Sequence, residues 1–369
     1  MSPRSYLDFN ATAPTRSEVI DAVTKAMQEG GNASSVHADG RAARARVERA
    51  RQQVAALVGA DPAGVIFTGS GTEANNQALR ATKCERLIVS AIEHESVLQA
   101  RDDAVICPVT PDGLVDLEAL QALLAENSSS TVVSIMLANN ETGIIQPVVE
   151  AVQIAHDAGA FFHCDAVQAA GKIPVDMMAL GVDSLALSAH KIGGPQGIGV
   201  LICRDPSLMA RFVHGGGQES GLRAGTENVP GIVGYGVAAE CALVGLDNFG
   251  GLANLRDDLE LRIQELEPNV QIIGKNLDRL PNTSKILTKG LTSEVQVMGL
   301  DLDGVSISAG SACSAGRVEM PYVLAAMGVP EELGLCAVRV SLGWTTTGED
   351  VDRYIEAWQK LYDRKIAET

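Results

Sequence analysis

Seven short apolar runs, rich in β-branched residues and separated by helical stretches, constrain this 369-residue chain more than any other feature. They are GVIFTG, RLIVSA, DAVICPV, TVVSIML, AFFHCDA, SLALSA and IGVLIC, falling between Gly64 and Cys203. Apolar runs of this length read as strands buried on both faces, and the helices between them then cover a mostly parallel sheet. The chain is therefore predicted to be α/β, with a large domain built on a seven-stranded sheet between helices.

Two amphipathic helices precede the sheet. One is predicted from about Arg16 to Gln28, with Val19, Val23 and Met27 on one face. The other runs from about Arg41 to Val58, with Val47, Val54 and Val58 on its apolar side, and its arginines (RAARARVERAR) read as a solvated face. The strand pattern stops near Arg204 and a glycine-rich passage follows, HGGGQESGLRAGTENVPG. After Gly250, Leu252, Leu255, Leu259, Ile263 and Leu266 recur at helical spacing, and strands are predicted near VQIIG, SKILTK and AVRVSLG. This part reads as a smaller α+β domain. The predicted division is an N-terminal segment, 1–15, packing with the small domain, a large domain at 16–248 and the small domain at 249–369.

Charge narrows the partners. With 46 acidic against 29 basic residues the net charge is −17, which disfavours nucleic acid and anionic membrane surfaces. No apolar run approaches the roughly 20 residues that span a bilayer, and MSPRSYLDFN has no signal pattern, so a soluble, cytoplasmic protein is predicted. The seven cysteines are odd in number, and no pair is spaced C-x-x-C. A disulfide framework and a metal site are accordingly not predicted.

The polar residues at the ends of the apolar runs suggest chemistry. Ser188-Ala189-His190-Lys191 precedes the turn Ile192-Gly193-Gly194-Pro195-Gln196-Gly197. A lysine placed this way can present an amine to an aldehyde as a Schiff base, provided that burial eases loss of its proton. Thr68-Gly69-Ser70-Gly71-Thr72-Glu73-Ala74 follows a strand and opens a helix, a place where backbone N–H groups face an anion. It matches neither a Walker A loop nor a dinucleotide fingerprint. Asp165 ends AFFHCDA and reads either as a carboxylate in the ligand crevice or as a helix cap. Asn139, Asn140 and Glu141 end another strand in this reading, and His94 follows a third. Cys313 stands apart from the other cysteines in a run of small residues, SISAGSACSAG, which predicts a loop able to carry a thiol in and out of a site.

Taken together, these motifs make the chain resemble the NifS/IscS-type cysteine desulfurases, fold-type I pyridoxal-phosphate enzymes of the class V aminotransferase family. The likeness runs from YLDFNATAP to AVRVSLGWTTT through FTGSGTEANN, EHESVL, NNETG, HCDAVQ, SAHKIGGPQG, HGGGQESGLRAGT and GSACSAG. The resemblance implies pyridoxal 5'-phosphate as cofactor, with Lys191 as its covalent anchor and later the carrier of the substrate α-proton. It implies Asp165 against the pyridinium nitrogen, Gln168 on the phenolic oxygen and His94 stacked on the ring. Gly71, Thr72, Ser188 and His190 match the phosphate cradle. Thr226 resembles a residue reaching the phosphate from a neighbouring subunit, which implies a homodimer with shared sites. Asn140 and Arg339 match the groups that bind the carboxylate of L-cysteine. Cys313 would take the substrate sulfur as a persulfide.

An unperturbed thiol is only a few per cent ionised at neutral pH, so Cys313 needs a base, and His94 is the expected one. The spacing from Cys313 to Pro321 resembles the long-loop subgroup, which implies transfer onward to a sulfur acceptor or iron–sulfur scaffold protein in cluster assembly. Two departures stand out. Ala33 replaces a common proline near the expected site entrance, and the end at Thr369 leaves the acceptor in doubt. Two rivals stay open at this point. One is a selenocysteine lyase or another class V enzyme that does not use Cys313; the other is a non-catalytic sulfur carrier or scaffold.

Overall fold

Val65–Thr68 (β2), Thr131–Ser134 (β5), Ser184–Ser188 (β7) and Gly199–Cys203 (β8) are buried along their whole length. Lack of alternation in these runs follows from cover on both faces. The structure, a computed structural model, describes residues 4–126, 130–309 and 319–367. With Arg86–Ser90 (β3), Val105–Cys107 (β4) and Phe161–Asp165 (β6), these strands form one seven-stranded sheet in the order β2-β8-β7-β6-β5-β3-β4. Strands β3 to β7 are mutually parallel, and β8 runs antiparallel to both of its neighbours.

The two faces are packed by alternate residues of the same strands. Val65, Phe67, Ile88, Phe162, Leu185 and Val200 join a core with Ser17–Glu29 (α1), Ala38–Leu57 (α2) and Val229–Val244, through Val19, Val47, Val54 and Ile232. Ile66, Leu87, Val89, Ala186 and Leu201 point the other way, against Ala74, Ala78 and Leu79 of Gly71–Ala81 (α3). Helix α2 begins earlier than its apolar spacing predicts because His37 caps it, its Nδ1 accepting from Gly40 N–H at 3.3 Å. Its arginines are solvated at Arg41, Arg44 and Arg49, but Arg51 is buried. The Arg51 guanidinium forms a fork with the carboxylate of Glu219 at 2.8 and 2.9 Å, a pairing without a local sequence signal. Ala33 is buried in the large core and is not among the cavity-lining residues described below.

A second core surrounds an antiparallel sheet of Gln271–Ile272 (β9), Thr283–Leu287 (β10) and Ala337–Ser341 (β12) in the order β12-β10-β9. Leu259, Ile263, Tyr354 and Trp358 from the helices Leu252–Leu266 and Gly348–Ala367 pack with Val338 and Val340. Truncating a side chain such as Trp358 here would cost about 3–5 kcal/mol. Ser5–Tyr6 (β1) pairs in parallel with Val305–Ser306 (β11), and Leu7 enters this second core. The N-terminal segment then crosses to the large sheet. Phe9 N–H donates to Ser341 O, Ala13 N–H to His190 O and Arg16 N–H to Gly193 O. Among the described residues, no single helix is long and apolar enough to cross a membrane.

Candidate active site

Strand ends, turns and the N-terminal crossing bring polar side chains to one cavity of about 560 Å3. After β7 the chain makes a single 3-10 turn, Ala189–Lys191. Gly193 permits the path that follows: its φ is +82°, and a Cβ there would lie 2.8 Å from side-chain atoms of Arg16 and Trp344. Lys191 is directed to the N-terminal segment, and its Nζ donates to the carbonyls of Asn10 (2.6 Å) and Ala11 (2.9 Å). Burial chiefly holds its pKa down to about 8; Arg339 adds to this, while Asp8 and Asp165 oppose it.

Asp165 ends β6 and lines the same cavity. Its Oδ1 accepts from Val167 N–H at 2.9 Å, the turn-capping contact, and its Oδ2 from Asn75 Nδ2 at 2.7 Å. Asn75 is itself oriented by His163, whose Nε2 lies 3.0 Å from Asn75 Oδ1 and whose Nδ1 lies 2.8 Å from Ser184 Oγ. Burial pushes the His163 pKa down to about 3, so this ring is a neutral relay. The Asp165 carboxylate is therefore held by neutral donors and keeps its charge for a ligand.

His94 lies past the end of β3 and caps the short helix Glu95–Leu98. Its Nδ1 accepts from Ser96 N–H at 3.1 Å and lies 2.8 Å from Ser96 Oγ. Ser96 Oγ accepts from Asn75 Nδ2 at 2.9 Å, so its proton is free to point at the ring. The neutral imidazole thus carries its proton on Nε2. That tautomer is a donor at Nε2, whereas the base role expected from sequence requires the opposite one. Neighbouring Glu93 is fully buried, and burial pushes its carboxyl well above the usual range.

Ser70 caps α3, its Oγ accepting from Glu73 N–H at 3.1 Å, while the first N–H groups of any helix lack partners within it. Gly71, Thr72, Ser188 and His190 line the cavity around that helix end. The approach of β8 is close here: a Cβ on Gly199 would fall 2.3 Å from the Ser70 carbonyl carbon. His190 Nδ1 lies 3.2 Å from Thr12 Oγ1. Burial, with Lys191 and Lys172 nearby, lowers the His190 pKa to about 4.

The opposite wall comes from the small sheet. Arg339 is buried on β12, with Nη1 donating to Asn140 O (3.0 Å) and Nη2 to Asp8 Oδ1 (2.8 Å). Its register partner on β10 is Lys285, which pairs with Glu141 at 2.9 Å. Two cations opposite one another on adjacent strands repel, and each has acquired a carboxylate. Among the described residues, the buried atoms Arg339 Nε and Asn140 Oδ1 find no hydrogen-bond partner.

The strand-end reading of residues 139–141 needs correction. β5 stops at Ser134, and Asn139 Oδ1 instead closes a turn by accepting from Glu141 and Thr142 N–H. Only Asn140 of the three lines the cavity. Gln168 does so too, with Nε2 donating to Asn10 O at 3.0 Å. Thr226 is exposed and is not among the lining residues. Cys313 lies outside the described residues. Sequence reasoning missed Asp8, Asn10, Asn75, Lys172 and Tyr322. The last lines the cavity and donates through its hydroxyl to Glu93 O at 2.6 Å. YLDFN marked the segment holding Asp8 and Asn10, but no local signal assigned them to the site.

The aminotransferase class-V family model matches residues 5–354. Cysteine desulfurase IscS of Dictyoglomus turgidum is 38% identical over 379 residues, covering 99% of this chain and 96% of the relative. Among solved structures, a NifS-like protein from Rickettsia africae superposes with a TM-score of 0.91 at 36% identity, covering 98% of this chain and 99% of the other. SspA in complex with cysteine follows at 0.79 and 29%, covering 92% and 98%. The chain belongs to the class V aminotransferase family and, within it, to the cysteine desulfurases.

Proposed function

We propose that the chain converts L-cysteine to L-alanine with pyridoxal 5'-phosphate, leaving the sulfur on Cys313 as a persulfide for an acceptor protein in iron–sulfur cluster assembly. The observation that carries this reading is a lysine amine with its pKa lowered to about 8 and a carboxylate held by neutral donors, both lining one cavity. The donor set fits the cofactor. Gly71 and Thr72 N–H, Ser188 and a neutral His190 would hold a phosphate, Asp165 a pyridinium nitrogen and Gln168 a phenolic oxygen. Lys191 would be the covalent anchor. When bound, pyridoxal phosphate supplies an electron sink that lets the substrate Cα lose its proton and the Cβ–S bond break.

The chain's own groups do the rest. At pH 7 roughly one Lys191 in ten is neutral, far more than for a free lysine, so an amine able to attack or take the α-proton is available. The Arg339 guanidinium and the Asn140 amide NH2 receive the substrate carboxylate, and the buried Arg339 Nε–H, a donor without a partner among the described residues, supports that assignment. His94, with its proton on Nε2, enters as a donor toward the cavity. The net reaction balances as L-cysteine plus the Cys313 thiol giving L-alanine plus the Cys313 persulfide, with one sulfur transferred and no external oxidant.

Three further assignments belong to this reading. The two cores support a division into 1–15 with the small domain, 16–248 and 249–369. The exposed position of Thr226, away from the cavity lining, supports its reaching a second subunit's site in a homodimer. Six cysteines among the described residues are free thiols, which supports a reducing, cytoplasmic setting.

The test is mass spectrometry of purified protein after L-cysteine, with alanine and sulfide measured in parallel under reductant. One added sulfur on Cys313 and equal alanine and sulfide are expected, and both are lost in Cys313→Ala. Turnover that survives Cys313→Ala selects the lyase or transaminase instead. If borohydride traps no cofactor on Lys191, the enzyme reading fails altogether.

A further inference from the structure

Lys172 takes no part in the chemistry above, yet it sits beside the cavity in the turn that follows β6. It is 2% exposed. Its Nζ donates to two neutral amide oxygens, Gln168 Oε1 and Asn10 Oδ1, each at 2.7 Å. Burial and the nearby cations Lys191 and Arg339 push its pKa well below that of an ordinary lysine. Both donations survive loss of the ammonium proton, because a neutral amine still has two N–H bonds.

The consequence is a matter of polarity. The two ends of a glutamine amide are alike in shape and opposite in hydrogen bonding. With Lys172 donating to Oε1, the end of Gln168 left for any other partner is the NH2, one hydrogen of which goes to Asn10 O. Asn10 is pinned in the same way. Its Oδ1 also accepts from Asn282 Nδ2 (3.1 Å), its Nδ2 donates to Thr283 Oγ1 (2.9 Å), and its main-chain oxygen receives Lys191 Nζ. One buried amine therefore bridges the amide facing the cavity and the residue whose carbonyl receives Lys191.

We propose that Lys172 is a positioning residue of this site, which fixes Gln168 with its amino end toward the cofactor and holds Asn10 against Lys191. The assignment rests on the pyridoxal-phosphate reading, because the cofactor is what Gln168 would meet. A variant without the Nζ removes one of the two hydrogen bonds that orient the Gln168 amide, leaving only its donation to Asn10 O.

The experiment compares the holoenzyme with Lys172→Met, Gln168→Ala and the double variant. It follows the bound cofactor's visible absorption against pH and the rate at which pyridoxal phosphate is released, with circular dichroism reporting the fold. The charged and titrating groups facing Lys191 are Asp8, Asp165, His190, Lys172 and Arg339, and all but Lys172 are unchanged across the set. Lys172→Met is expected to displace the spectral midpoint by more than about half a pH unit and to speed release roughly tenfold, as loss of one good hydrogen bond would. In the Gln168→Ala background the same change should have less than half that effect. A wild-type midpoint in folded Lys172→Met, or full additivity with Gln168→Ala, overturns the assignment and leaves the cofactor reading standing. Should Lys172→Met not fold, Lys172→Arg keeps the two donors and is expected to retain the wild-type midpoint; a midpoint displaced as in Gln168→Ala overturns the proposal. A wild-type chain with no visible cofactor band overturns the cofactor reading, and this assignment with it.

Discussion

On the wall built from the large sheet, the carboxylate of Asp165 is held by an amide and a backbone N–H, and His163 behind them is neutral. On the wall built from the small sheet, Arg339 and Lys285 face carboxylates, Asp8 and Glu141. The difference has a physical cause. Asp165 stands at the C-terminal end of a parallel strand with no cation among the described residues at hydrogen-bond distance, so dipoles orient it without spending its charge. Lys285 and Arg339 are direct cross-strand neighbours in a buried sheet, where two uncompensated cations would be untenable. One wall keeps its charge available for a ligand. The other spends most of its charge on its own stability, leaving a guanidinium already partly compensated.

The sharpest way to break this contrast is Asp165→Asn, which keeps the shape and removes the available charge. It should lower alanine formation by roughly a thousandfold with little change in unfolding midpoint. A large loss of stability instead would mean that Asp165 is a structural residue. On the other wall Lys285→Met should show the reverse pattern: a loss of about 3 kcal/mol by urea denaturation, because Glu141 is left buried and unpaired, partly recovered by adding Glu141→Gln.

Arg339→Ala is expected to raise KM for L-cysteine by roughly thirtyfold, the equivalent of a charged hydrogen-bonded pair, with a smaller change in kcat. The smallest effect tests the compensation itself. Asp8→Asn leaves Arg339 less neutralised, so KM should fall about threefold. Asp8 also pulls the Lys191 pKa upward, so removing its charge shifts the equilibrium toward the neutral amine. The rate at which the apo-protein captures pyridoxal phosphate, rising with pH through a midpoint near 8 in the wild type, should then rise through a lower midpoint. An unchanged midpoint would mean that the negative end of Asp8 is fully consumed by Arg339.

Particular residues mark what could be read from the chain. The seven apolar runs became the seven strands, and in all but the edge strand β4, where Ile106 is exposed, burial on both faces is written locally as runs without alternation. Lys191, Asp165 and His94 were legible because a polar residue just beyond such a run has few places to go other than the crevice. Asn75 was not. It lies inside an ordinary helical pattern, and its importance comes from His163 and Asp165, eighty-eight and ninety residues away. Asp8 and Asn10 are more extreme: their partners Arg339 and Asn282 lie 331 and 272 residues on. Asn139 to Glu141 were misplaced at a strand end because the apolar run TVVSIML continues past the last paired residue, Ser134, into a turn closed by Asn139 itself.

The fold class, the lysine and its acidic counterpart follow from sequence because they depend on local patterning: apolar run, turn, polar residue. The state of those groups does not. That the Lys191 amine is lowered to about 8 and that Arg339 is partly compensated by Asp8 were decided by tertiary contacts, whereas the His94 proton is placed by Ser96, two residues on. Proton affinities answer to whichever dipoles and charges arrive within a few ångströms, and for Lys191 and Arg339 those arrive from the far ends of the chain.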